Sequence, residues 1–229
     1  ITDFQTMSDR LIADIEGARH HINMLFFKFE DDAAGRRIAD ALIRKAEEGV
    51  LVRLIYDDAG NLMVPRRFYR KLRKHGIQVR GFIRIFLPIL SRDYNSRNHR
   101  KVVVIDGRVG YMGGMNIAQR YAEGLKWGIW RDTHMRITGP AVSELQTSFL
   151  TDWKFTKGDE PDLAPMYPYN PPCGNTLMQI VTGGPMDKWN VMMQAYMTAI
   201  ASARHHAYLQ SPYFIPPEPI MKVLQNAAL

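Results

Sequence analysis

The stretch NHRKVVVIDGRVGYMGGMN, residues 98–116, carries the residues that decide both the fold and the chemistry of this chain. Its polar and glycine positions follow the pattern HxKxxxxDxxxxxxGGxN. Residues 102–105 are all β-branched and apolar, and Asp106-Gly107 is a dipeptide favoured in tight hairpin turns. The stretch therefore predicts two antiparallel strands joined at Asp106-Gly107.

The spacing of the motif brings its polar residues together on this hairpin. Residues two apart on a strand face the same side, so His99 and Lys101 are predicted to project together. Counting back from the turn pairs Lys101 with Met112 and His99 with Gly114. A residue without a side chain opposite the imidazole leaves space for a phosphate and lets backbone N–H groups approach it. The candidate substrate-binding residues are Gly113, Gly114, Asn98 and Arg100.

The residue types of the motif fit the transfer of a phosphate ester. A neutral imidazole, here His99, can attack phosphorus and form a covalent phosphohistidine. The ammonium of Lys101 can stabilise charge on the non-bridging oxygens, and the amide of Asn116 can donate to one of them. Departure of the alkoxide requires a proton donor, typically another histidine. No metal or other cofactor is expected, because the chain shows no Asp/His cluster at metal-ligand spacing.

Asp106 is also part of the motif and therefore a candidate catalytic residue. Its place in a hairpin turn favours a structural role over a chemical one, because Asp is a residue that turns prefer. Both roles stay open on the sequence alone.

Outward from the motif, residues 1–155 alternate between helical and strand patterns. The predicted strands lie at 21–29, 50–56, 77–83, on both sides of Asp106-Gly107, and near 131–138. The predicted helices lie at 4–15, 36–48, 65–76 and from Pro140 to about Trp153. This alternation predicts an α/β domain with a mixed sheet flanked by helices.

The composition is that of a folded globular protein, with 46% apolar and 23% charged residues. Residues 1–154 contain 26 of the 30 basic and 18 of the 23 acidic residues, so they carry a net charge of +8. This excess favours anionic partners such as phosphate esters, nucleic acid or acidic lipid surfaces. The single cysteine, Cys173, excludes an internal disulfide. No run of about 18 uncharged apolar residues is available to cross a bilayer.

The end of the chain indicates an internal duplication. Residues 156–176 contain five prolines and are predicted to be a linker. The sequence ARHH occurs at 18–21 and again at 203–206, within stretches that resemble each other at a constant offset of 185. Residues 177–229 are therefore predicted to begin a second copy of the domain, although two unrelated helix–strand units remain the alternative. A counterpart of His99 is expected near position 284, beyond Leu229, and further sequence is expected before Ile1.

The motif resembles that of the phospholipase D superfamily, whose members use paired copies of it across a pseudo-twofold axis. The similarity extends towards bacterial cardiolipin synthases at RNHRK (97–101), WRDTH (130–134), GPAV (139–142) and SPYFIP (211–216). The resemblance implies that one motif histidine is the nucleophile and the other the general acid, with Lys and Asn binding phosphate. It also implies a carboxylate that orients the histidine. Asp132 matches that position best, and Glu123 is the reserve candidate.

The resemblance implies a phosphatidyltransferase of the cardiolipin synthase type. A phosphatidyl group from one phosphatidylglycerol would pass to His99 and then to the hydroxyl of a second, releasing glycerol. The implied partners are this anionic phospholipid, a membrane surface, and the second half of the same protein or a second copy. The implied location is the cytoplasmic face of the bacterial cell membrane, with any membrane anchor upstream. The isolated chain is expected to turn over little unless two copies pair.

Two surface features bear on the substrate. A short helix carries six basic residues, which form either a solvated face or an anchor for anionic headgroups. The apolar segment Phe82–Leu90 is either a core strand or a lip near acyl chains. Two other functions stay open: a nuclease or other phosphodiesterase of the same superfamily, for which that apolar segment is unsuited, and an inactive phosphate-binding domain. Nucleic acid is therefore not expected as a partner. The basic residues of the helix are Arg66, Arg67, Arg70, Lys71, Arg73 and Lys74.

Overall fold

The computed structural model of the chain describes residues 1–83, 97–126, 128–184, 189–211 and 213–229. These residues form two compact units, Ile1–Ile180 and Val181–Leu229. In the first unit a six-stranded sheet is covered by helices on both faces. This confirms the predicted mixed α/β fold.

The first unit follows the order of elements that the sequence predicts. Its strands are β1 (His21–Phe26), β2 (Leu51–Asp57), β3 (Gln78–Phe82), β4 (Lys101–Ile105), β5 (Val109–Gly113) and β6 (His134–Thr138). Its helices are α1 (Phe4–Glu16), α2 (Ala33–Glu47), α3 (Arg66–Lys74), α4 (Gln119–Glu123) and α5 (Ala141–Phe155). Short 3-10 turns lie at Ala59–Asn61 and Ala164–Met166.

The strand order β3-β2-β1-β4-β5-β6 divides the sheet into two parts. Strands β1, β2 and β3 are parallel, whereas β4 runs antiparallel to β1 and continues into the antiparallel β5 and β6. The carboxyl ends of β1, β2 and β3 therefore meet the start of β4 at one edge of the sheet. The motif histidine and lysine lie at this edge.

Apolar side chains of the sheet pack against helices on both faces. Helices α1, α2 and α3 cover the face that carries Met24, Phe26 and Val103, all of which are buried. Helix α5 covers the other face, where Phe149 and Trp153 pack on Leu25 and Ile55. Because each face is covered, β1 is buried along its whole length.

The hairpin at Asp106-Gly107 forms, but its predicted register is wrong by one residue. Val102 pairs with Met112 and Ile105 with Val109, so Arg108 belongs to the loop as well. Asp106 and Gly107 both adopt positive φ, 52° and 63°, and the backbone N–H of Arg108 donates to Ile105 at 2.9 Å. The loop therefore has three residues and not the two expected from the dipeptide. As a result, Met112 pairs with Val102 and not with Lys101.

The first unit includes the segment 156–176 that the sequence analysis treats as a linker. Met166 is buried, and the Asn170 amide donates to the carbonyl oxygen of Gly107 at 2.7 Å. The segment thus packs along the end of the β4–β5 hairpin. The predicted domain boundaries themselves stay a prediction.

The second unit consists of α6 (Val191–Ala201) and α7 (Glu218–Ala227). Ile200 and Ile220 are its buried apolar residues among those described. Its helices occupy the places that the 185-residue offset assigns to α1 and α2, and α7 begins at the position equivalent to the start of α2. Among the residues described, none of the helices is long and apolar enough to cross a membrane. Most of the predicted apolar lip, residues 84–90, lies outside the described residues.

Candidate active site

His99 and Lys101 lie together at the edge where the carboxyl end of β1 meets β4. Lys101 is the first residue of β4, and His99 belongs to the segment just before it. The His99 side chain is exposed, whereas Lys101 is 3% exposed. The Lys101 ammonium donates to the carbonyl oxygen of His99 at 2.6 Å, which places the amine directly beneath the histidine backbone.

Phe27, which the sequence analysis does not single out, forms the wall beside both residues. Its ring centroid is 4.7 Å from that of His99, and the Lys101 Nζ lies 5.5 Å from the Phe27 ring centroid. Asn61 fixes the backbone here, because its amide donates to the Phe27 carbonyl oxygen at 2.7 Å. The imidazole and the amine therefore share one aromatic neighbour.

The surroundings of the pair suit a neutral nucleophile beside a cation. Burial and the charge of Lys101 lower the pKa of His99 below its ordinary value, so the imidazole is unprotonated at neutral pH. Burial also lowers the pKa of Lys101, to about 8, which keeps most of the amine protonated at neutral pH. Asp132 acts in the opposite direction on both residues and favours their charged forms.

Asp132 lies close to the pair, and Gly114 makes room for its carboxylate, whereas Gly113 borders His134. A Cβ on Gly114 would overlap the Asp132 carboxylate, and one on Gly113 would come within 2.5 Å of the His134 Cα. The space that the missing side chains leave is occupied by Asp132 at Gly114 and by the start of β6 at Gly113, and the predicted role of both glycines in substrate binding stays a prediction. The Asp132 Oδ1 accepts the backbone N–H of Thr133 at 2.7 Å. Its hydrogen bond to the imidazole stays a prediction.

Asn116 is buried near the same edge and is held by two contacts. Its Oδ1 accepts the backbone N–H of Lys28 at 3.1 Å, and its Nδ2 donates to the Tyr121 hydroxyl at 2.9 Å. An amide nitrogen carries two N–H groups, so this hydrogen bond uses half of its donor capacity. Because Lys28 directly follows Phe27 in the chain, this contact holds Asn116 close to Phe27.

Asn98 is held in place by backbone hydrogen bonds, and its predicted role in substrate binding stays a prediction. It is 4% exposed, and its Oδ1 accepts the backbone N–H of Arg100 at 3.1 Å. Its own backbone N–H donates to the buried carboxylate of Asp57 at 3.1 Å. Asp57 also accepts the backbone N–H groups of Ala59 and Gly60, and burial raises its pKa. The end of β2 therefore holds the segment that carries His99.

Arg100 pairs with the helix behind the sheet, and its predicted role in substrate binding stays a prediction. Its Nη1 contacts both carboxylate oxygens of Asp152 on α5 at 2.8 Å. Successive residues of an extended chain face opposite sides, and α5 covers the face opposite to Lys101. The Arg100–Asp152 ion pair thus connects the residues just before β4 with α5.

Asp106 lies at the opposite end of β4 from Lys101, which corrects its listing as a catalytic candidate. Its carboxylate accepts the backbone N–H groups of Arg19, His20 and His21 at 2.8–2.9 Å. Burial alone would raise the pKa of Asp106, but these three donors outweigh it and lower the pKa. The residue connects the β4–β5 turn to the turn between α1 and β1, which is a structural role.

His134 is a further residue of the site that the sequence analysis quotes without assigning a role. It pairs with Gly113 across β5 and β6, is fully buried, and has no hydrogen-bond partner for either ring nitrogen within the described residues. Burial and the nearby charge of Lys101 lower its pKa to about 4, so it is neutral at physiological pH. Its place in the WRDTH stretch, two residues after Asp132, is the feature of the sequence that could have indicated a position near the site.

The chain matches the family model described as the cardiolipin synthase, PLD-like domain over residues 11–153. It is 42% identical over 224 residues to a cardiolipin synthase of Listeria monocytogenes serotype 4a (strain HCC23), covering 96% of this chain and 46% of that protein. It is 39% identical over 236 residues to the major cardiolipin synthase ClsA of Bacillus subtilis (strain 168), covering 100% of this chain and 48% of that protein. The chain thus spans about half the length of the curated relatives it matches.

A comparison with solved structures agrees at the level of the fold. NucT from Helicobacter pylori superposes with a TM-score of 0.52 at 19% sequence identity, over 67% of this chain and 90% of that one. At this identity the similarity shows the fold alone.

Proposed function

This chain belongs to the family of cardiolipin synthase phospholipase D-like domains, and from that premise we propose that it forms the first catalytic half of a phosphatidyltransferase. The observation that carries the proposal is the exposed imidazole of His99 beside the buried amine of Lys101, both against Phe27. The imidazole can reach a ligand from solvent, and the amine supplies a positive charge that water screens poorly.

The proposed reaction proceeds in two displacements. An unprotonated nitrogen of His99 attacks the phosphorus of phosphatidylglycerol, the bond from phosphorus to the glycerol headgroup oxygen breaks, and glycerol leaves with a proton from a general acid. The hydroxyl of a second phosphatidylglycerol then attacks the phosphohistidine, loses its proton to the same group, and releases free His99 with cardiolipin. Lys101 stabilises charge on the non-bridging oxygens in both steps.

The general acid is proposed to come from a second copy of the motif. Within these 229 residues the pattern HxKxxxxD occurs once, at His99. The helix positions of the second unit, which repeat those of α1 and α2, support the view that residues 177–229 begin the second half. The partners proposed are therefore this second half or a second copy, an anionic phospholipid, and the cytoplasmic face of the bacterial membrane.

The nucleophile can be tested on the chain alone with a lipid that needs no general acid. A phosphatidyl ester of p-nitrophenol releases a stable anion, so its departure does not require a proton. We expect the wild-type chain to release close to one equivalent of nitrophenolate in a burst and to retain the phosphatidyl group on His99, detected by peptide mass spectrometry.

The matched variants are His99→Ala, which should show no burst, and Lys101→Ala, which should lose on the order of 3 kcal/mol of transition-state stabilisation. With phosphatidylglycerol, whose leaving group needs a proton, the monomeric chain should turn over little. A full burst from the His99→Ala chain would overturn the assignment of the nucleophile. Cleavage of single-stranded DNA with no reaction on either lipid would overturn the lipid substrate.

A further inference from the structure

Helix α3 presents an unusually basic outer face next to the active-site edge. Its buried side consists of Phe68, Tyr69 and Leu72, which belong to the main core. All of its remaining residues are basic and exposed. A nine-residue helix with this composition gains its stability from the buried side, so the outer charges are not required for the fold.

The charges nearest to α2 and β3 are already paired within the protein. Lys71 forms an ion pair with Asp40 on α2 at 3.2 Å, and Arg73 donates to the carbonyl oxygen of Val79 on β3 at 3.1 Å. At the end of the helix His75 contacts Glu47 at 2.7 Å. These contacts engage Lys71 and Arg73, on the side of α3 that faces its neighbours, in hydrogen bonds within the protein.

Among the described residues, the outer stripe of the helix has no acidic partner in an ion pair. Arg66, Arg70 and Lys74 follow one another at four-residue spacing and lie along one side of the helix. Arg67 lies beside this stripe. Within the described part of the chain, no ion pair joins any of these four side chains to a carboxylate. The stripe is therefore a concentration of positive charge directed at solvent.

An exposed apolar pair lies immediately before the basic helix. Met63 is 94% exposed and Leu62 is 55% exposed. The exposure of two adjacent large apolar side chains to water is unfavourable, and their transfer to an apolar environment lowers the free energy.

The apolar pair is connected to the active site by a short path along the backbone. Leu62 follows Asn61, whose amide donates to the carbonyl oxygens of Phe27 and Asp57 at 2.7 Å. Phe27 packs on His99, and Asp57 holds the backbone of Asn98. The loop therefore extends from the same edge of the sheet as the nucleophile.

We propose that the Leu62-Met63 loop and the outer stripe of α3 form a docking surface for an anionic lipid bilayer. Leu62 and Met63 enter the acyl region, while Arg66, Arg70 and Lys74 bind headgroup phosphates. The proposal rests on the proposed function, because it presents His99 to a substrate that remains in the membrane. A nucleic acid fits the stripe less well, since its phosphate backbone offers no apolar region for Met63.

Position-specific fluorescence tests the insertion of the loop. A Cys173→Ser/Met63→Cys chain labelled with an environment-sensitive dye should shift to the blue on addition of vesicles that contain phosphatidylserine, an anionic lipid other than the proposed substrate. The same dye in a Cys173→Ser/Arg108→Cys chain should not shift, because Arg108 lies in the β4–β5 loop at the opposite end of the sheet. Equal shifts at both positions, or none at position 63, would overturn the docking surface.

Charge-matched variants test the stripe. Arg66→Gln/Arg70→Gln/Lys74→Gln should weaken binding to phosphatidylserine vesicles on the order of 100-fold at low salt. The control is Arg10→Gln/Arg19→Gln/Arg108→Gln, which removes the same charge from exposed positions elsewhere and should change binding severalfold at most. Equal losses in the two triple variants would show that net charge, not this surface, binds the lipid.

Two further outcomes separate this inference from the proposed function. The His99→Ala chain should bind vesicles as the wild type does, because the stripe does not include the nucleophile. Intact, stripe-dependent vesicle binding with no nitrophenolate burst would overturn the proposed function and leave the docking surface standing. Preferential, stripe-dependent binding of single-stranded DNA over phosphatidylserine vesicles would instead assign the surface to nucleic acid.

Discussion

At the scale of single residues, Lys101 determines how the reaction should depend on pH. The amine must be protonated to stabilise phosphate oxygens, and its pKa is lowered to about 8. The second-order rate constant of the burst should therefore fall as the pH rises through about 8. It should also fall when acid protonates His99, at a pH below the ordinary value of 6.5. Stopped-flow measurement of the nitrophenolate burst gives this profile.

The Lys101→Arg chain is the control for the alkaline limb. A guanidinium stays charged across the accessible range, so the alkaline fall should disappear even if the overall rate is lower. An alkaline limb that stays at the same pH in this variant would show that another group titrates there.

Gly114 should be required because it admits the Asp132 carboxylate. In Gly114→Ala the new methyl group would overlap that carboxylate, so Asp132 must move away from His99 and Lys101. We expect the burst rate to fall on the order of 10-fold and the free energy of unfolding to fall by about 1–3 kcal/mol.

The matched substitution is Gly110→Ala, whose methyl would meet the Leu145 side chain at 2.6 Å on the face covered by α5. It should cost similar stability in chemical denaturation but leave the burst rate of the folded chain unchanged. A wild-type rate in Gly114→Ala would show that the position of Asp132 does not matter.

The sequence predicts that His99 and Lys101 lie together, as they do in the structure, but it does not predict what surrounds them. His99 and Lys101 share a face because a two-residue spacing near a strand fixes it, whatever the tertiary fold. The surroundings of Gly113 and Gly114 depend on His134 and Asp132, which come much later in the chain and lie beside them only through the pairing of β5 with β6. Asp57 and Phe27 reach the site only through the arrangement of the sheet, so no local pattern identified them.

At the scale of secondary-structure elements, Asp106 connects two turns and should matter for stability. Asp106→Ala removes the acceptor of three backbone N–H groups and places alanine at a φ of 52°, so we expect the free energy of unfolding to fall by about 3 kcal/mol. Asp106→Asn keeps one acceptor oxygen and tolerates this φ, so it should cost less. Urea denaturation of both variants measures the difference.

The burst rate per folded molecule should be the same in Asp106→Asn as in the wild type. The carboxylate lies at the far end of β4, so it has no route to the phosphate. A large loss of rate in this variant, with its stability preserved, would restore the chemical role that the motif suggested.

The elements themselves were predicted well where periodicity was strong. The four apolar residues of β4, 102–105, and the amphipathic α2 appear close to their expected bounds. The predicted register of the hairpin was wrong because Asp106-Gly107 is compatible with both a two-residue and a three-residue loop. The dipeptide fixes the sign of φ at the turn but does not fix the length of the loop.

At the scale of the whole molecule, the two units share a similar stretch of sequence that forms a strand in the first unit only, among the residues described. Residues 21–26 form β1, but the equivalent residues 206–211 form no strand within the described part of the chain. In the first unit β1 lies between β2 and β4 and bonds to both. A central strand needs such neighbours, and no strand lies beside residues 206–211 within the described part of the chain.

The antiparallel pairing of β1 with β4 has a consequence for the order of events during folding. Phe26 pairs with Lys101, and α2, β2, α3 and β3 all lie between these two residues in the sequence, so the pairing closes a long loop. Such distant pairings raise the contact order and slow the folding of a domain. Phe27 thus reaches His99 and Lys101 only through this long-range closure, so a chain whose folding stalls earlier leaves the imidazole and the amine without their aromatic neighbour.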